Sequence, residues 1–485
     1  MMNHKISRCL LFAPPVVTMK NRIDVNPLPP MGLGYIASVM ENLGIDVKIV
    51  DCMMEGWHTR KDIGGGLIKI GISDEEIRTI ISEFQPDMVC VNNQFSKQYK
   101  NAHKIYEITK SVDNSILTQA GGAHPTVMPE FCLEDPNLDF VVIGEGEIVI
   151  EKLIKVLEAS SLDLSGIDGL GYKKEGQIFV NAKTSYIENL DSISYPAYHL
   201  MNLQNYFGQD MSHGKRHHKR FSPIITSRGC PAKCTFCTAY KVWGRKYRYR
   251  SPENVIGEMK LLKENYGIEE LLIEDDNFTA NPQRAEKICD LMVKNNFDFK
   301  WDTPNGVAAF ALTDQLLRKM QKAGCYKINI AVESGNQNTL NNIIKKPLNL
   351  SKVEHIIDVC REIKLDFGVF LIMGMPGDTL DGMWDNYRFA RKIKVFDPFI
   401  SVATPYPGSE LYDVCNEKGY LSDNFSLEDL FIRSFPISTE DWTPREIKRL
   451  MLRGYLYLKF YQLLDNPILF GKLFVNRLSQ ILRRK

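Results

Sequence analysis

One rhythm constrains this chain more than any other feature. Short apolar runs bounded by turn residues alternate with amphipathic stretches, and the pattern occurs twice with a weaker stretch between. In the first occurrence, Cys9–Phe12, Val47–Val50, Met88–Val91, Ile116–Gln119 and Phe140–Ile143 read as strands. Gly32–Leu43, Asp74–Glu83, Lys100–Ser111 and Glu145–Leu157 carry helical spacing between them. Strands that alternate with helices form an open, mainly parallel sheet covered on both faces. Residues 7–157 are therefore expected to make a doubly wound α/β domain. Ligands on such sheets collect at the carboxyl ends of strands. Those ends carry Asn92-Asn93-Gln94, Gly121-Gly122-Ala123-His124-Pro125 and Gly144-Glu145-Gly146.

The rhythm resumes over residues 223–407. Strands are expected at Pro223–Thr226, Glu270–Ile273, Lys300–Thr303, Lys327–Val332, Gly368–Met373 and Pro398–Ala403. Helices are expected at Glu253–Tyr266, Pro282–Lys294, Thr313–Ala323, Ser351–Ile363 and Asp381–Lys394. Six such units curl into a partial (β/α)6 barrel with its chemistry at the strand C-termini. Residues 158–222 read as a linker with a hairpin at Leu170–Tyr172 and Ile178–Asn181, then a basic stretch from His213 to Arg220 without metal-ligand spacing. Residues 408–485 read as a helical extension, with helices near Pro444–Leu464 and Ile468–Arg484.

Composition narrows the functional classes. Of 485 residues, 44% are hydrophobic and 25% charged, which excludes disordered and coiled-coil chains. Sixty Lys and Arg against 59 Asp and Glu leave a net charge of +1, without the electrostatic footprint of a nucleic-acid binder. No apolar stretch reaches the ~18–20 residues of a membrane span, and the N-terminus lacks the pattern of a signal peptide. Eleven cysteines, an odd number, point to reduced thiols or metal ligands and to the cytoplasm.

Three of those cysteines form Cys230-Pro231-Ala232-Lys233-Cys234-Thr235-Phe236-Cys237, directly after the first barrel strand. The C-x-x-x-C-x-x-C spacing puts three thiolates on one tight loop. Three thiolates can hold three irons of a 4Fe-4S cluster and leave the fourth iron open, whereas ferredoxins close their clusters with four cysteines. Structural zinc is the competing reading, but it wants a fourth ligand, and His217 and His218 stand out of pattern.

Ser227-Arg228-Gly229-Cys230 through Phe236-Cys237 resembles the signature of the radical S-adenosylmethionine (SAM) superfamily. The resemblance implies a 4Fe-4S cluster on Cys230, Cys234 and Cys237, SAM bound at the open iron, and a 5′-deoxyadenosyl radical formed by reductive cleavage. It places Phe236 beside the adenine. Glu274-Asp275-Asp276-Asn277-Phe278 follows the second strand, where the family holds the methionine ammonium; a solvated acidic turn is the competing reading. Glu333 and Ser334 fall where ribose is bonded, and Gly374 and Pro376, in Gly374-Met375-Pro376-Gly377, where backbone approaches adenosine.

The first block resembles the cobalamin-binding domain found ahead of many radical SAM enzymes, through Pro29-Pro30-Met31-Gly32-Leu33, Gly121-Gly122-Ala123-His124-Pro125 and Ile143-Gly144-Glu145-Gly146-Glu147. It implies cobalamin contacts from Asn93, Gln94, Gly121, Gly122, His124, Gly144, Glu145 and Gly146. The D-x-H-x-x-G motif that gives cobalt a histidine elsewhere is absent, so His124 is expected to bond or turn rather than ligate. Transfer-RNA methylthiotransferases also pair a front α/β domain with this barrel, but the contexts of Cys9, Cys52 and Cys90 do not match their second cluster.

Together these resemblances imply a cobalamin-dependent radical SAM methyltransferase that moves a methyl group from methylcobalamin to an unactivated carbon. Cyclisation or rearrangement with the same cofactors, a transfer-RNA methylthiotransferase-like activity, and a non-catalytic sensor are the alternatives. The implied partners are a low-potential electron donor of flavodoxin or ferredoxin type and a small-molecule, lipid or peptide substrate, without nucleic acid. Two basic segments each admit two readings. Lys241 to Arg250 either covers the SAM site or forms a solvated face. Phe470 to Lys485 either packs on the barrel or rests peripherally on a membrane.

Overall fold

The computed structural model describes residues 5–20, 25–159, 163–209, 216–430, 434–465, 467 and 471. The expected helix Ile468–Arg484, the segment Phe470 to Lys485 and His213 lie wholly or mostly outside those residues. The chain divides into two compact units, Met1–Pro231 with Thr238–Asn305 and Gln315–Lys327, and Ala232–Cys237 with Gly306–Asp314 and Ile328–Lys485.

Among the described residues, ten strands precede residue 181: β1 Arg8–Ala13, β2 Val16–Met19, β3 Asp46–Asp51, β4 Arg60–Gly64, β5 Leu67–Ile70, β6 Met88–Asn92, β7 Leu117–Gly121, β8 Phe140–Val142, β9 Leu170–Lys174 and β10 Gln177–Val180. Seven form a sheet in the order β10-β9-β8-β7-β6-β1-β3. From β3 to β8 all neighbours are parallel. The β9–β10 hairpin is part of this sheet, because β9 pairs antiparallel with β8. Leu10, Phe12, Val89, Val91, Ala120 and Val141 pack with Ile77 and Ile81 and with Ile105 and Ile108 in one buried cluster. Burying each large apolar side chain contributes roughly 1.5–3 kcal/mol.

Local signals set the helix starts. At Asp74–Phe84 the Ser73 hydroxyl accepts from the Glu76 amide at 3.2 Å, and the Glu76 carboxylate accepts from the Ser73 amide at 2.7 Å. This reciprocal capping is the S-x-x-E pattern at work. A small antiparallel sheet, β2-β5-β4, has no counterpart in the expected elements. Its strand Arg60–Gly64 is exposed throughout, so no apolar alternation announces it.

The later strands are β11 Phe221–Ile224, β12 Ser227–Arg228, β13 Arg248–Tyr249, β14 Glu270–Ile273, β15 Lys300–Val307, β16 Cys325–Glu333, β17 Asp366–Met373 and β18 Phe399–Val402. Six of them form the open barrel sheet, in the order β11-β14-β15-β16-β17-β18. β11, β14 and β15 run parallel, as do β17 and β18. β12 pairs antiparallel with β13, which sets Arg248 opposite Arg228. The helix Pro444–Asp465 packs on the helix Leu380–Lys392. No helix among the described residues is long and apolar enough to cross a membrane.

Candidate cofactor site

The carboxyl edge of the first sheet gathers polar groups that are buried yet short of partners. Asn93, just beyond β6, is 1% exposed, and its Oδ1 has no hydrogen-bond partner. Gln94 beside it is exposed. β7 ends at Gly121, and Gly122 follows with φ +104°; a Cβ there would stand 2.5 Å from Asn92 Oδ1. Only glycine satisfies both demands. The turn aims His124 inward: its amide donates to Asn93 O at 3.1 Å and its Nδ1 lies 3.0 Å from Ser96 Oγ. His124 Nε2 has no partner. Burial, with a smaller push from His103, lowers the His124 pKa to about 4, so the ring is neutral at pH 7. Tyr99 and Phe131 flank it, each with ring centroids 6.0 Å away. Gly144, after β8, donates its amide to Thr126 Oγ1 at 2.9 Å, and Gly146 opens the next helix.

Glu145 behaves differently from its neighbours. Its carboxylate accepts from the Ile187 amide at 2.7 Å, from Arg248 at 2.7 Å and from Arg228 at 3.1 Å. Arg228 also reaches Glu147 at 2.6 Å, and all four side chains of this ion-pair cluster are at most 8% exposed. Burial opposes the Arg228 charge, but Glu147 and Glu145 outweigh it and raise its pKa. Burial likewise opposes ionisation of Glu147, and Arg228 overcomes it, so that pKa falls. Arg228 sits over the Trp243 and Tyr35 rings, 4.8 and 5.2 Å from their centroids. Within the Lys241–Arg250 stretch, Arg248 and Arg250 are therefore buried ion-pair partners, Arg250 with Glu258. Lys246, by contrast, pairs with Glu188 at the surface.

The cysteine loop leaves β12 through Gly229, whose φ is +83° and whose added Cβ would meet Lys246 O at 2.4 Å. Cys230, Cys234 and Cys237 are partly exposed, whereas the other eight cysteines are buried. Among the described residues, no three His, Cys, Asp or Glu side chains are gathered at metal-binding spacing. Cys230 belongs to the first unit; Cys234, Phe236 and Cys237 belong to the second. There, Thr235 ties the loop down: its amide donates to Ile344 O at 3.1 Å, its hydroxyl to Ile343 O at 3.0 Å, and its carbonyl accepts from Leu411. Phe236 is half-buried.

At the end of β14, three successive acids take three roles. Asp275 is consumed by the fold, accepting from the Thr226 amide and hydroxyl at 2.6 Å each and from the Ser227 hydroxyl at 2.5 Å. Glu274 accepts from Asn305 Nδ2 at 2.9 Å; burial and the Asp302 charge push its pKa up to about 7. Asp276 retains a buried Oδ2 with no partner, and burial, then Asp275, push its pKa up to about 6. Asn277 Nδ2 next to it is also unpartnered.

In the second unit, Glu333 ends β16 at φ +72°, a costly conformation for a side-chain-bearing residue. It is held by Lys346 at 3.0 Å. Ser334 Oγ accepts from the Asn336 amide at 3.1 Å. Gly374, beyond β17, is buried at φ +80°, and Pro376 is half-buried. The front-domain thiols are core residues: Cys9 and Cys90 sit on adjacent strands with sulfurs 3.7 Å apart, and burial raises the pKa of Cys9 and of Cys52.

Known proteins are similar to this chain in sequence and in fold. Residues 224–390 match the Radical SAM superfamily, and residues 25–154 match the B12 binding domain. The chain is 32% identical over 452 residues to cytidylyl-2-hydroxyethylphosphonate methyltransferase of Streptomyces wedmorensis, covering 87% of this chain and 84% of that one. It is 28% identical over 458 residues to an uncharacterized methyltransferase of Pyrococcus horikoshii, covering 93% and 92%. It is 25% identical over 395 residues to the anaerobic magnesium-protoporphyrin IX monomethyl ester cyclase of Rubrivivax gelatinosus, covering 80% and 67%. In fold it is similar to the radical SAM methyltransferase TsrM of Kitasatospora setae, solved with cobalamin and a 4Fe-4S cluster bound. That likeness has a TM-score of 0.69 at 16% identity over 92% of this chain and 85% of that one.

Proposed function

The chain belongs to the cobalamin-dependent radical SAM enzymes, and from that premise we propose which of its residues serve which cofactor. It is a radical SAM methyltransferase that uses SAM, a 4Fe-4S cluster and cobalamin. When bound, the cluster and SAM supply a 5′-deoxyadenosyl radical, and cobalamin supplies the methyl group that reaches an unactivated carbon.

Cys230, Cys234 and Cys237 hold the cluster. The observation that carries this assignment is their partial exposure in a chain whose other eight cysteines are buried. A ligating thiolate must be reachable and deprotonated, and core thiols are neither. Asp276, rather than Asp275, receives the methionine amino group, since its oxygen is buried without a partner. Asp275 instead fixes Thr226 and Ser227 ahead of the loop. Glu333 and Ser334 face the ribose, Gly374 and Pro376 the adenosine, and Phe236 the adenine. Asn93, Gln94 and His124 bond the corrin amide side chains; neutral His124 offers one ring nitrogen without adding charge. Gly121, Gly122, Gly144 and Gly146 keep that edge low. Glu145 acts through Arg228 and Arg248 and stiffens the floor of the cobalamin edge.

A low-potential flavodoxin- or ferredoxin-type protein is the proposed electron donor. Eleven cysteines, an odd number, suit the reducing cytoplasm. The test is anaerobic reconstitution with cobalamin, SAM and a reductant, followed by mass spectrometry of candidate acceptors. Formation of 5′-deoxyadenosine together with S-adenosylhomocysteine is expected. Deoxyadenosine without S-adenosylhomocysteine would mean cyclisation or rearrangement, the reaction class of the 25%-identical cyclase.

A further inference from the structure

The helix Pro444–Asp465 buries one stripe and exposes another. Ile447, Leu450, Gly454, Leu458 and Gln462 are buried at helical spacing. Gly454 lies so close to Tyr387 that an added Cβ would stand 2.1 Å from its ring. The opposite stripe carries Leu452, Leu456, Phe460 and Leu464, exposed by 61, 58, 56 and 60%. Tyr455 and Leu463 extend it at 41 and 42%. Large apolar residues at every fourth position form a contiguous patch, which marks an interaction surface rather than scattered exposure.

Charge identifies what covers it. From residue 444 to the last residue the chain carries ten Lys and Arg against only Glu446 and Asp465, while the whole chain has a net charge of +1. Residues 466–485 alone carry five of those basic residues and no acid. We propose that this face docks on the surface of an anionic phospholipid bilayer. The apolar stripe suits the acyl boundary, Tyr455 the headgroup level, and the lysines and arginines the lipid phosphates. A second copy would bring the same positive charge against itself. A fold-back of residues 466–485 would bring five basic residues and no acid onto a helix that already carries five basic residues against two acids. The helix lies on the bilayer rather than through it, since Arg453 and Lys459 interrupt it and it does not qualify as a span.

Vesicle flotation of the full chain tests this independently of cofactors or turnover. Vesicles of phosphatidylcholine with about one-third phosphatidylglycerol should bind at least ~10-fold more protein than phosphatidylcholine alone. Salt at about 0.5 M should weaken the binding. Leu456→Asp with Phe460→Asp should cut the bound fraction ~10-fold with an unchanged melting temperature, because both side chains are exposed. Absence of flotation, or flotation indifferent to the double substitution, overturns the proposal. So does a dimer in sedimentation equilibrium that the double substitution dissolves without vesicle binding. A chain ending at Asp465 that binds vesicles more tightly than the full chain would show that residues 466–485 cover the stripe, and would overturn it too.

Discussion

The carboxyl edge of the first sheet and the end of β14 both leave buried polar atoms unanswered, but only the second adds a charged group to a neutral one, Asn277 Nδ2. At the first edge the unanswered atoms are Asn93 Oδ1 and His124 Nε2, on an amide and a ring kept neutral by burial. At the second, an unanswered Oδ2 belongs to Asp276, a carboxyl that carries charge at pH 7. Buried polar groups without partners are costly, and the proposed assignment gives each set a visitor that satisfies it. Neutral donors and acceptors fit a cofactor rimmed with amides; a lone carboxylate fits the amino group of SAM. Between them in sequence stands the ion-pair cluster of Arg228, Arg248, Glu145 and Glu147, balanced in charge, with Arg248 Nε left without a hydrogen-bond partner.

The largest separation of the two edges is expected from Cys234→Ala. Iron content and 5′-deoxyadenosine formation should fall to background, while cobalamin binding followed by absorbance stays within about twofold. Parallel loss of cobalamin would break the contrast. Next comes Glu147→Gln, which leaves a net positive charge buried at Arg228. Removing one partner of such a pair costs about 3–5 kcal/mol, to be read as a fall in the melting temperature of the apoprotein; Glu188→Gln, at the exposed Lys246 pair, should leave it unchanged.

Asp276→Asn should weaken SAM binding about tenfold, one charge-assisted hydrogen bond, and leave cobalamin binding intact. Its pH dependence has a definite sign. With a pKa near 6, Asp276 is mostly protonated at pH 5 and ionised at pH 7, so SAM binding strengthens as pH rises through about 6. Without ligand the same raised pKa works the other way, and the fold loses stability as pH rises from about 4 to 6. Titration calorimetry of wild type against D276N checks the first trend. The smallest effect is His124→Ala, a severalfold loss of cobalamin affinity with unchanged SAM affinity. The cob(II)alamin resonance should show no nitrogen splitting from His124; such splitting would make it a cobalt ligand instead of an amide partner.

Much of the architecture was legible because its signals are local. The helix Pro282–Lys294 begins and ends where its spacing predicts, with Asn281 capping Arg284. The strands of the first sheet lie within two residues of their apolar runs, since a strand covered on both faces cannot hide its composition. Arg60–Gly64 escaped for the reverse reason: an exposed strand owes its existence to its partner Leu67–Ile70. Arg248-Tyr249-Arg250 escaped more instructively. Its burial alternates as a strand should, in, out, in, but with arginines inside. Only the distant Glu145 and Glu258 make such burial tolerable.

Sequence by itself determined the two α/β blocks, the three-thiol loop and the kinds of group at each strand end, because periodicity, spacing and side-chain chemistry are properties of neighbours along the chain. Tertiary structure alone decided which of those groups remain free. Among Glu274, Asp275 and Asp276 the residue types are nearly the same, yet Thr226 and Ser227 claim one and Asn305 another. Arg228 and Arg248 claim Glu145 in the same way. Whether a polar atom is available to a ligand depends on hydrogen-bond partners and charges brought from tens of residues away, and no local pattern records them.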